Sequence, residues 1–83
     1  MNNEKLTTFM DTYRVCLREA VRKYPLKYDY GTGDTDKVVD KMRRAILVNP
    51  KMVNYRDSEG FKLTCRSLGI KHTVREILAY LEV

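Results

Sequence analysis

Apolar residues recur along the first quarter of the chain at spacings of three and four. Leu6, Phe9, Met10, Tyr13, Cys16, Leu17, Ala20, Val21 and Tyr24 make one continuous apolar face. That period belongs to a helix with one side buried, and it predicts a helix over residues 4–23. Pro25 ends it, because proline cannot donate an amide and disfavours helix in the residue before it. The outer face carries Arg14, Arg18 and Arg22, a basic ridge interrupted by Asp11 and Glu19. Residues 24–36 contain Pro25, Gly31 and Gly33 and read as a loop, with Asp34 or Thr35 able to cap the next helix. Val38, Val39, Met42, Ala45 and Ile46 restore the helical period over residues 35–47, and Asn49-Pro50 stops it. Residues 48–57 form a second loop whose Met52, Val53 and Tyr55 are expected to lie on the core. Ser58 is a good N-cap for a third helix over 58–68, with Phe61, Cys65 and Leu68 inward. Gly69 suits the left-handed turn that closes it. Thr73 or His72 then starts a fourth helix over 73–82, with Val74, Ile77, Leu78 and Leu81 inward. No alternating run is long enough for a strand, and no internal repeat is visible. The expected fold is all-α: four short helices around one core, residues 1–83 forming a single helical domain.

At 83 residues the chain has room for one modest core. Apolar residues make up 43% and charged residues 33%, a balance that folds rather than stays disordered. No stretch approaches the roughly 20 apolar residues of a membrane span. The N-terminus is polar and has no secretory core, so no membrane partner and a cytoplasmic location are expected.

The excess of basic residues is unevenly placed. Residues 1–40 carry seven positive and seven negative side chains, whereas residues 41–83 carry nine and four. The whole net charge of +5 therefore sits in the second half, which favours an anionic partner there.

The candidate chemistry is thin. Cys16 and Cys65 lie 49 positions apart, and His72 is the only histidine, so no zinc set exists within one chain. Both cysteines fall on apolar helical stripes and are expected to be buried, reduced thiols. The loop Tyr28-Asp29-Tyr30-Gly31-Thr32-Gly33-Asp34 follows no strand and lacks phosphate-loop spacing, and its aspartates do not match a calcium loop. Its tyrosines could stack on bases, although such side chains more often lie half-buried with the hydroxyl in water. His72 has no nucleophile or carboxylate at a motif-defined spacing. No catalytic residue, metal or cofactor is expected, and the chain reads as a non-enzyme.

The most informative stretch is residues 58–82. A short helix, a turn holding Gly69 and a second short helix are the parts of a helix-turn-helix. Cys65, Leu68, Gly69, Ile70, Thr73, Val74 and Leu78 resemble the pattern of helix-turn-helix DNA-binding modules, with a turn one residue short because only Lys71 and His72 precede Thr73. The resemblance covers about a quarter of the chain and implies binding to double-stranded DNA. The shorter turn changes the angle between the helices. Lys71 and His72 would then meet phosphate, Thr73 and Arg75 would reach base edges, and Lys62, Arg66, Arg43 and Arg44 would add backbone contacts. Glu76 and Glu82 oppose this by repelling phosphate.

The chain as a whole also resembles small proteins encoded by tailed phages and prophages. The likeness rests on Tyr13, Arg14, Tyr24, Pro25, Tyr28, Met42, Thr64, Cys65, Leu68 to Thr73, Tyr80 and Leu81. It implies a phage origin and a place in the cytoplasm of a bacterial host. It also raises a second expectation, a protein-binding module that inhibits a host defence or transcription protein. Tyr28, Tyr30, Met52 and Tyr55 would be its contact residues, since tyrosines favour such sites. A homodimer is a third expectation, because helix one is long for so small a core, and it is compatible with the DNA-binding reading since helix-turn-helix proteins are often dimers.

Overall fold

A computed structural model describes residues 1–28, 34–54 and 58–83. Four helices occur in order: α1 (Asn3–Lys23), α2 (Thr35–Val48), α3 (Ser58–Leu68) and α4 (Val74–Tyr80). A short 3₁₀ turn, Pro50–Asn54, lies between α2 and α3. No strand occurs among the described residues.

The apolar face of α1 organises the molecule. Leu6, Phe9, Met10, Tyr13, Leu17 and Val21 are buried in one cluster with Val39 and Ile46 of α2, Val53 of the turn, Phe61 and Cys65 of α3, and Ile77 and Leu81. The two thiols are free and buried. Aromatic rings fill the seam between α1 and α3. Phe61 meets Phe9 edge-on at 5.6 Å between centroids and Tyr13 at 4.8 Å, an arrangement favoured by the ring quadrupoles.

The two neighbours of α1 lie on opposite flanks. Cys16 Sγ approaches Ser67 Oγ of α3 at 3.8 Å. Arg14 and Arg18 reach Asp36 of α2. At 3.6 residues per turn, Arg14 and Cys16 stand about 160° apart around the helix axis. The core lies between these flanks, closed by the 3₁₀ turn and α4.

The helix ends obey their sequence signals with some corrections. Asn2 Oδ1 caps α1 by accepting from the Lys5 amide at 3.1 Å. Asn49 is extended, as the residue before a proline must be. Its side chain then accepts from the Lys51 amide to open the 3₁₀ turn. Asp34 occupies the cap position of α2, but its carboxylate makes no capping bond. Thr35 does not cap either: it lies within the helix, fully buried, and accepts from Arg18 Nε at 3.2 Å.

The last helix is shorter than its apolar pattern predicts. It starts at Val74, with Thr73 as cap, and ends at Tyr80 rather than residue 82. Glu82 turns to φ 60. The Val83 amide donates to Leu78 O and the Glu82 amide to Ala79 O, which satisfies the carbonyls the helix leaves open. Two contacts hold Glu82 in this turn: Lys5 at 3.0 Å and Asn2 Nδ2 at 3.3 Å. The Asn2 amide also donates to Leu81 O at 2.8 Å, tying the chain's two ends together.

Candidate nucleic-acid interface

The α3–α4 connection is built by the local sequence. Gly69 has φ +73, a conformation that costs an L side chain about 1 kcal/mol or more. Its amide donates to Arg66 O and the Ile70 amide to Cys65 O at 3.0 Å, the paired bonds that close a helix through a left-handed residue. Ile70 comes next and packs half-buried against the core. Thr73 Oγ1 accepts from the Glu76 amide at 3.2 Å and starts α4. One lone pair of the threonine oxygen is thus engaged in capping, which leaves the hydroxyl its proton and a second lone pair.

Around this turn the basic side chains point to water. Lys62 and Arg66 are exposed one turn apart on α3, and Lys71, His72, Thr73 and Arg75 are exposed at the turn and the first residues of α4. Among the described residues, none of Lys62, Arg66, Lys71 and Arg75 forms an ion pair with a carboxylate. Two acids oppose them by charge. Glu76 is half-buried at the start of α4. Glu82 is already compensated, since the hydrogen bond from Lys5 and its charge hold the carboxyl below its ordinary range.

The remaining residues of the expected interface lie elsewhere. Arg43 Nη2 donates to Thr7 Oγ1 of α1 at 3.4 Å, placing its guanidinium at the α1–α2 seam. Arg44 lines a cleft between α2 and the 3₁₀ turn. Lys62 and Arg66 thus lie exposed on α3, and Lys71, His72, Thr73 and Arg75 follow on the connection and the start of α4, whereas the two α2 arginines lie at other places.

The basic ridge on α1 has an explanation that its own sequence does not contain. Arg18 Nη2 donates to both carboxylate oxygens of Asp36 at 3.1 Å. Arg14 contacts Asp36 at 3.1 Å and Asp40 at 3.6 Å. Two arginines of the ridge are thus neutralised by the first turns of α2.

The alternative contact residues also divide. Tyr28 is half-buried and packs against the core, so little of its ring is offered to a partner. Met52 lines the cleft beside α2. Tyr30 and Tyr55 lie outside the described residues. Of the two tyrosines in the first loop's stacking reading, Tyr28 is thus half-buried and Tyr30 lies outside the described residues.

No metal-ligand cluster exists among the described residues. Burial pushes the Cys65 thiol up to about 11, so thiolate is scarce near neutral pH and this sulfur is a core group rather than a nucleophile. No described helix is long and apolar enough to cross a membrane. No known family, no curated protein and no solved structure matches the chain, so the reading of this surface rests on its own residues.

Proposed function

We propose that the protein binds double-stranded DNA through the α3–α4 face, with Lys62, Arg66, Lys71 and Arg75 on phosphates and His72 and Thr73 between them. The observation that carries this reading is the state of the cations. The arginines of the α1 ridge that meet α2 are held by carboxylates, whereas the four around the Gly69 turn are exposed and unmatched among the described residues. An unmatched cation can release counterions from a polyanion, which is the main source of phosphate-driven affinity.

The face is better suited to holding a backbone than to reading a sequence. Helix α4 has seven residues, and at 1.5 Å per residue it extends only about 10 Å along a groove. Arg75 is its one cation, and the Thr73 hydroxyl is held in place by the cap. Binding is therefore expected to be modest, strongly salt-dependent and tolerant of sequence.

The test is fluorescence anisotropy of a labelled random-sequence duplex titrated at two salt concentrations. Four phosphate contacts give a log–log slope of about −3.6, or a loss of roughly a hundredfold in affinity between 50 and 200 mM salt. The Lys71→Ala/Arg75→Ala variant should lower that slope by about 1.8 while melting at the wild-type temperature. No binding at the lower salt, or an unchanged slope in the variant, would overturn the assignment.

A further inference from the structure

A second surface is built by segments that the DNA reading does not use. Helix α2 and the 3₁₀ turn enclose a cleft of about 280 Å³ lined by Val38, Met42, Ala45 and Met52 and by the stem of Lys41. It continues outward past Arg44 to Val48, whose side chain is almost wholly exposed. The floor is apolar, and two of its four floor residues are methionines, which adapt their shape to whatever packs on them.

One wall of this cleft is positively charged for a structural reason. Asp36 and Asp40, the acidic side of α2, turn toward the arginines of α1. Lys37, Lys41 and Arg44 succeed each other at spacings of four and three, all exposed and centred about a quarter turn around the helix from those aspartates. Among the described residues none of them has a carboxylate partner. The stripe runs along about 10 Å of helix, close to two turns.

We infer that this cleft docks an acidic amphipathic helix of another protein, with one or two apolar side chains seated between Met42 and Met52 and its carboxylates on Lys41 and Arg44. Three features select this occupant. The cleft and its outward continuation are lined mostly by apolar side chains, with no buried polar group to orient a small ligand, and an open apolar trough of this kind suits the anchors of a helix laid in a groove. Its apolar floor offers nothing to a phosphate backbone. A second copy of this chain carries the same net charge of +5, which opposes its approach, and its α2 carboxylates are already committed to α1. A helical partner also fits a molecule that presents no strand among its described residues for edge pairing.

The test uses the full chain and a defined probe. A helix-forming peptide of about 16 residues carries leucines at positions i, i+3, i+4 and i+7 with glutamates flanking them, and its control replaces every glutamate with lysine. NMR titration should show saturable shifts of the Met42, Met52 and Val38 methyl signals with the glutamate peptide alone. The exposed double variant Lys41→Glu/Arg44→Glu should weaken binding by about tenfold or more, and Ala45→Gln should weaken it by crowding the floor, with circular dichroism confirming that both still fold. The Lys71→Ala/Arg75→Ala variant should keep the peptide, which separates this cleft from the DNA face. Equal binding of the lysine control, shifts confined to the α3–α4 face, or no shifts at all would overturn the proposal. So would the same methyl shifts produced by anionic vesicles or by self-association.

Discussion

The two flanks of α1 hold the molecule together by different means. Toward α3 the seam is dry and aromatic, with Phe9, Tyr13 and Phe61 fully buried. Toward α2 the outer edge is polar, with Arg14 and Arg18 set against Asp36 and Asp40 at side-chain exposures of roughly a third to a half. The dry flank stabilises without consuming charge, so the outer cations of α3 remain available. The polar flank consumes charge, so two of the three ridge arginines, Arg14 and Arg18, present little net field. Basic composition alone therefore says little about where a polyanion would bind. The pairing of each cation decides it.

The largest effect is expected on the dry flank. Phe61→Ala removes the ring that both Phe9 and Tyr13 contact, and truncations of buried aromatics cost about 3–5 kcal/mol. A chain of this size has only about 5–10 kcal/mol of total stability, so the variant should be largely unfolded or melt far below wild type. Chemical denaturation followed by circular dichroism measures this. A loss below about 1 kcal/mol would show that the aromatic seam is not the main support of the fold.

Much of this architecture can be read from the order of residues. The apolar period locates all four helices, because each buries one stripe against the same core. Gly69 marks its own turn, since a positive φ is a local demand that glycine meets at little cost. What the sequence hides is set by distant partners. Arg18 and Asp36 lie on separate helices, and only tertiary packing brings them to 3.1 Å. The same packing turns Thr35 from an expected cap into a buried acceptor. The cleft is equally invisible along the chain, because its walls come from α2 and from Met52 beyond a proline. The short span of α4 goes with contacts from the other end of the chain, where Lys5 and Asn2 meet Glu82. Of the expected DNA contacts, those on α3 and α4 flank the Gly69 turn because they are close in sequence, and all are exposed. Arg43 and Arg44, distant in sequence, are assigned by packing to the α1–α2 seam and to the cleft.

A middle-sized effect is expected at the turn that joins the dry flank to the proposed DNA face. A Cβ added at Gly69 would meet no atom within 4 Å, so Gly69→Ala is penalised only by its backbone conformation. The expected loss is about 1 kcal/mol, with Gly69→Asn costing less because asparagine tolerates the left-handed region. Thermal melting of the two variants gives the difference. If alanine were neutral, the φ of +73 would not be a requirement of the turn. Because Lys71 and Arg75 are placed by this turn, a loosened connection should also flatten the salt dependence of duplex binding in Gly69→Ala.

The smallest effect on stability, and the sharpest test of the contrast between the flanks, lies on the polar side. Asp36→Asn/Asp40→Asn removes both carboxylates that face the α1 arginines while preserving side-chain size. These groups are about half exposed, and exposed ion pairs of this kind contribute roughly 0.2–1 kcal/mol each. The variant should therefore fold and lose no more than about 2 kcal/mol, a loss that shrinks as salt screens the pairs. Its effect on polyanion binding should be the more visible one. Arg14 and Arg18 become unmatched cations, so duplex affinity should rise at low salt and the salt slope should steepen by up to about 1.8, one increment of about 0.9 for each released arginine. The new affinity should survive Lys71→Ala/Arg75→Ala, because it arises on the opposite side of α1 from α3. An unchanged slope would mean that pairing with carboxylates is not what keeps the α1 ridge silent, and the contrast between the two flanks would then lie in shape rather than in charge.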